Sequence, residues 1–178
     1  IFFFCIWGIV VLYDILKWSS WWYTVFKDGE RFIDKIGSHL PLHTCSMFMY
    51  VAPFAFFPRN KTIKTAAMNF LCTINLVVGY MSLYLSSAMM SYYSVFSFNG
   101  LHTLLYHTLI TLVPMVMLIT GYYKPKWKDI WKGFTLFLII AAVVFTIDNI
   151  FKIDYMYLYD QKSLGIFNFI ADLLPHRL

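Results

Sequence analysis

Apolar residues run almost unbroken through five stretches of this chain, at 1–16, 40–58, 65–85, 101–121 and 133–151, and polar residues collect between them. Each stretch approaches the roughly 20 residues that a helix needs to cross a bilayer, so the pattern predicts transmembrane helices and no strands. A different period follows the first stretch. Trp18, Trp21, Trp22, Val25 and Phe26 recur at i, i+3, i+4, i+7 and i+8, and Lys27, Asp28, Glu30 and Arg31 come next. This predicts a separate amphipathic helix over 18–36, lying flat in the membrane interface. Pro53 is placed to kink the second stretch and Pro58 to end it. Asn99-Gly100 reads as a turn ahead of the fourth stretch, which Gly121 and Pro125 close. The expected architecture is all-α: one transmembrane helical domain over 1–178, a polytopic bundle with at least five spans. The first stretch opens inside an apolar run, and the Ser163-led segment is too short to span. The chain is therefore expected to be incomplete at both ends.

Composition agrees, since 60% of residues are hydrophobic and mean hydropathy is +0.65, against roughly 45–50% apolar usage in soluble domains. The charge pattern adds an orientation. Arg59, Lys61 and Lys64 crowd one link and Lys124, Lys126, Lys128 and Lys132 another, whereas 86–100 holds no Lys or Arg. By the positive-inside rule the links at 59–64 and 122–132 are cytoplasmic, and 17–39, 86–100 and 152–162 are outside. The net charge of +5 sits mainly in those two links, which points to membrane lipids with anionic headgroups as partners and not to nucleic acid. Cys5, Cys45 and Cys72 are too scattered for a disulfide framework.

This orientation puts His43, Cys45, His102, His107, Asp148 and Asp14 in the outward half of the bilayer. Ionisable groups at that depth are costly and mark functional sites by default, so the six are expected to line one outward-facing cleft. His43 and Cys45 lie about 200° apart on a helix, and cannot both point straight into it. Cys45 reads as a small buried hydrophobe or as a thiol nucleophile needing an imidazole. His43 reads as an interhelical hydrogen-bond partner or as a site residue. His107 lies deepest of the histidines and shares a face with Thr103 and Thr111, which suits either a satisfied core histidine or a general acid/base. His102 reads as a cap or lid partner near the interface. Asp148, beside Asn149, is either a solvated helix-end charge or a carboxylate that orients a histidine, and Asp14 has the same two readings. No ligand spacing, Walker A loop, nucleophile elbow or dinucleotide fingerprint occurs, so no metal and no cofactor is expected.

Four motifs carry a resemblance: Leu40-Pro41-Leu42-His43-Thr44-Cys45-Ser46, the segment from Phe98 through His102 to His107, the link from Gly121 to Lys126, and the box Asp154-Tyr155-Met156-Tyr157-Leu158. In collinear order over about 38–165, they resemble the YwaF family of bacterial integral membrane proteins. That family is distantly similar to a eukaryotic transmembrane acyltransferase that remodels ether phospholipids. The resemblance implies a bundle of six or seven spans in the full protein, in a bacterial cytoplasmic membrane. It also implies a histidine base at His107 and makes Tyr155 a supporting residue. The relatives' proposed nucleophile is a Cys directly after the Pro of the first motif. Leu42 stands there in this chain, and Cys45 is the substitute one turn on.

The expected function is that of a lipid acyltransferase or hydrolase with His107 as base, served by His43 and Cys45 and supported by His102, Asp148, Asn149 and Tyr155. The tyrosine-rich loop 86–98 would admit an acyl chain. The alternative is a non-catalytic subunit or substrate-binding component of a larger membrane complex. Orientation is testable by single-cysteine labelling of intact cells in a cysteine-free background. A probe at Ser94 is expected to react from outside and one at Lys126 to be protected, and the reverse pattern would invert the topology.

Overall fold

A computed structural model describes residues 2–27, 29, 41–89, 96–153 and 155–156. All regular elements among the described residues are helical: α1 (Phe2–Lys27), a 3-10 turn (Thr44–Ser46), α2 (Met47–Phe56), α3 (Lys61–Phe70), a π segment (Leu71–Asn75), α4 (Leu76–Met89), α5 (Phe98–Ile119) and α6 (Trp127–Phe151). Four helical stretches are long and apolar enough to cross a membrane, and Thr44–Phe56 is a shorter fifth. This is the all-α bundle that the hydrophobic pattern predicts.

Local chemistry sets the ends. Asn60 caps α3, its side-chain oxygen accepting from Thr62 N at 2.8 Å and Ile63 N at 3.3 Å, and Ser97 caps α5 by accepting from Gly100 N at 3.1 Å. Asn99 and Gly100 therefore lie in the first turn of α5 and make no chain reversal, because the Ser97 hydroxyl supplies the acceptor that starts the helix. Gly121, at φ +69°, takes the left-handed conformation that ends α5. Its N–H and that of Tyr123 satisfy Leu118 O and Met117 O. The first helix also differs from expectation. The Trp18–Phe26 face continues α1 without a break through Lys27, since no Pro or Gly interrupts it. Residues 28 and 30–36 of the amphipathic helix expected over 18–36 lie outside the described residues, as do 37–40, 90–95 of the loop and the segment after Tyr159.

Two prolines stand inside helices, and each removes the N–H that would bond the carbonyl four residues back. A neighbouring helix answers both. Pro53 of α2 releases Met49 O, which accepts from Trp7 Nε1 of α1 at 2.9 Å. Pro114 of α5 releases Ile110 O, which accepts from Asn75 Nδ2 at 3.1 Å. In hydrocarbon no water can take these roles, so each bond fixes the register of two helices. Hydroxyls are satisfied within their own helices, as Thr65, Thr73, Thr111, Thr135 and Thr146 each donate to the carbonyl four residues back.

The π segment widens the turn between two buried asparagines that bridge in different directions. Asn69 Nδ2 donates to Thr65 O and to Asp129 O of α6, while Asn75 reaches α5. Small residues admit the close approaches. A Cβ on Gly133 would lie 2.8 Å from Asn69 Cβ and 2.9 Å from Phe70 N, and one on Gly79 would lie 2.5 Å from Thr111 Oγ1. As a result α6 packs on α3, α4 on α5, and α1 on α5 and α2, with α2 against α3. Phe48, Phe70, Leu71, Ile110 and Met117 fill the shared core.

The proline bonds make a signed prediction. Asn75→Leu is expected to destabilise the protein by about 1–3 kcal/mol, since it orphans Ile110 O. Adding Pro114→Ala returns an N–H to that carbonyl and should recover most of the loss. Thermal unfolding in detergent reads both, and a double variant no better than the single would refute the pairing.

Candidate functional site

The face of α5 that meets α1 and the Thr44–Ser46 turn carries most of the candidate chemistry. His102 and Tyr106 are four residues apart, which stacks them on one face of the helix. Their ring centroids are 5.5 Å apart at 19°, and both residues are buried. On the opposite helix Asp14 Oδ1 lies 3.6 Å from His102 Nε2, with both side chains nearly sealed from solvent at 9% and 5% exposure. His102 thus departs from the cap or lid role expected of it. Ser97 provides the cap, and the 3.6-residue period turns His102 inward onto α1. Asp14 is correspondingly a buried carboxylate facing an imidazole and not a solvated charge.

Tyr106 joins this pair to the turn before α2. Its hydroxyl donates to Cys45 O at 3.4 Å, and its ring meets His107 edge-on at 5.7 Å. His107 is fixed from the other side, since Nδ1 is 2.8 Å from Thr103 O. A carbonyl only accepts, so the proton of the neutral ring is assigned to Nδ1 and Nε2 keeps its lone pair. Cys45 is half-buried, and its side chain packs with Leu42 against the core.

The other candidates make the following contacts. His43 is exposed, with its ring edge-on to Tyr155 at 5.0 Å, so the turn before α2 meets the chain that follows α6. Asp148 is fully buried near the end of α6, which rules out the solvated helix-end reading. Its backbone carbonyl accepts from Ile153 N at 3.1 Å, and Lys152 turns left-handed to close the helix. Asn149 is exposed and donates back to Phe145 O at 2.7 Å. These contacts link Asp14, His102, Tyr106, His107 and Cys45, and they link His43 with Tyr155, while Asp148 lies on α6, which packs against α3.

Tyr106 is the residue that sequence reasoning missed. Its signal was present in the i, i+4 spacing from His102 and in its place beside His107. The Asp14–His102 approach had none, because it joins residues 88 positions apart through helix packing.

Asp14→Asn and His102→Gln are expected to be non-additive in unfolding experiments, with a coupling of about 0.5–3 kcal/mol. Simple additivity would show that the two groups do not interact.

Comparison with known proteins places these features in a family. No curated protein and no solved structure matches the chain. The model of the TMEM164 family matches residues 1–174. That is a transmembrane family, in keeping with the helices described above, and the match takes in α1 and the Thr44–Ser46 turn as well as the α5 face that holds His102, Tyr106 and His107. With all but the last four residues matched, this chain belongs to the TMEM164 family of multi-pass membrane proteins.

Proposed function

We propose that this membrane protein is a lipid acyltransferase or hydrolase in which His107 is the general base. The observation that carries the reading is the bond from His107 Nδ1 to Thr103 O, which leaves Nε2 as the proton acceptor and holds the ring still. A base must present a fixed lone pair to the proton that it removes. Tyr106 packs against that ring, and its hydroxyl ties the α5 face to the Cys45 turn.

In the transfer, Nε2 takes the proton of a lipid hydroxyl, or of water for hydrolysis, as its oxygen attacks the carbonyl carbon of an acyl ester. The tetrahedral intermediate then expels the glycerol oxygen, which recovers the proton from the His107 imidazolium. The alternative nucleophile is the Cys45 thiol, deprotonated by the same ring and acylated before the acceptor attacks. Leu42 at the relatives' nucleophile position and the packing of Cys45 against the core favour the direct route. In this reading Asp14 and His102 position the α5 face, and the link between α4 and α5 admits the acyl chain. The likeness of the motifs to the YwaF proteins supports a bacterial cytoplasmic membrane as the location, and the charge of the links at 59–64 and 122–132 supports an orientation with those links inside.

One observation supports a second reading, as a subunit of a larger membrane complex. Only 11% of the apolar window of α6 is buried within the chain, which leaves a broad face for another protein or for lipid.

His107→Ala is expected to lower acyl turnover of labelled phospholipid in vesicles by about 100-fold or more, with normal membrane insertion, while Cys45→Ala should retain most of it. Wild-type turnover in the His107 variant would sink the enzyme reading and leave the subunit reading.

A further inference from the structure

The other end of the bundle carries a second feature that the proposed chemistry does not use. Phe2, Phe3 and Phe4 of α1, Phe56 and Phe57 at the end of α2, and Tyr122 just past α5 flank an open, shallow groove of about 340 Å³. Its walls are built by ring contacts. Phe3 stacks on Phe56 at 5.9 Å and meets Tyr122 at 5.0 Å, and Phe4 meets Phe57 edge-on at 5.3 Å. Phe4 and Phe57 nevertheless remain 47% and 59% exposed, so the rings present an open apolar surface.

The chain leaving each wall is basic. Arg59 and Lys61 follow Phe57, and Lys124 and Lys126 follow Tyr122, all of them exposed. The nearby carboxylate, Asp129, is bonded by Lys132 Nζ at 2.6 Å and also feels Lys126 and Lys61, so Arg59 and Lys124 are the cations that it does not offset. Tyr123 adds no negative charge, because a phenol is already neutral at pH 7 and burial pushes this one further up, to about 12. An apolar groove whose walls lead directly into chain with excess positive charge complements one kind of molecule, an amphiphile with a negative head. Clustered Lys and Arg at the membrane face of a helix bind anionic headgroups.

We infer that this groove is a binding site for an anionic phospholipid, with an acyl chain lying along Phe3, Phe4, Phe57 and Tyr122 and the phosphate held by Arg59 and Lys124. The site lies at the start of α1 and just past the end of α5, about three helical turns along α5 from His107, and it is independent of the acyl-transfer reading. It holds a lipid as a structural or regulatory ligand and leaves it unchanged.

Native mass spectrometry of the full chain in detergent, titrated with phosphatidylglycerol and phosphatidylcholine of identical chains, tests this. One phosphatidylglycerol is expected to be retained at about tenfold lower concentration than phosphatidylcholine. Arg59→Gln with Lys124→Gln should remove that preference, and Phe4→Ala with Phe57→Ala should weaken retention of both lipids. All four side chains are well exposed, so the variants are expected to fold. Equal retention of the two lipids by the unaltered protein would overturn the proposal, whether the groove is covered by bulk lipid or by the protein's own chain. So would retention indifferent to the Phe variants, or glycerophosphoglycerol without acyl chains binding as tightly as the lipid. His107→Ala should leave retention unchanged, which keeps this result separate from the fate of the catalytic reading.

Discussion

The absence of water from a bilayer's interior governs this structure, because a backbone carbonyl without an internal partner there costs several kcal/mol. Pro53 and Pro114 each create such a carbonyl. Trp7 and Asn75 answer them from neighbouring helices, so what would be a defect in each helix becomes a directed bond between two. The Trp7 bond holds α1 to α2, and the Asn75 bond holds the π segment to α5. Both are directional where apolar packing is not. They set helix registers that lipid-like side chains alone would leave free to slide.

The candidate site depends on those registers. Tyr106 reaches the Cys45 carbonyl only if α5 and the turn before α2 stand at the right depth, and Asp14 meets His102 only if α1 does. The α5 face is an aromatic and imidazole ladder, with His102 stacked on Tyr106 and Tyr106 edge-on to His107. Its packing immobilises the His107 ring while the Thr103 carbonyl selects its tautomer. Family membership makes the chain a multi-pass membrane protein, and the fixed lone pair on His107 supplies the chemical reason to read an acyl-transfer base there.

The bundle is also polar along its length in a chemical sense. Imidazoles and buried carboxylates gather toward one end, and aromatic rings leading into basic links occupy the other. These two environments suit different parts of a lipid molecule. Under the proposed reading the histidine region would transfer a proton at an ester or hydroxyl, and the basic end would hold an intact anionic lipid.

The sequence by itself determined the class of fold and the approximate spans. Hydrophobic runs of bilayer length need no tertiary information, since each helix satisfies its own backbone. It also singled out His107 and Cys45, because ionisable residues inside apolar runs are visible one at a time. Caps and breaks were partly legible. Gly121 ended α5 as its position suggested, whereas Asn99-Gly100 mimicked a turn because nothing local weighs that pair against the Ser97 cap. The continuous α1 was misjudged for a similar reason, as its Trp-rich amphipathic end carries no marker of whether it bends away from the span before it. Tertiary structure alone decided the partners. Asp14 faces His102, Tyr106 reaches Cys45 and Asn75 finds the carbonyl released by Pro114, and each depends on the rotation and depth of two helices at once. Those quantities come from packing at Gly79, Gly133 and the π segment, where the contact geometry of distant residues, and no period along the chain, fixes how closely the helices approach.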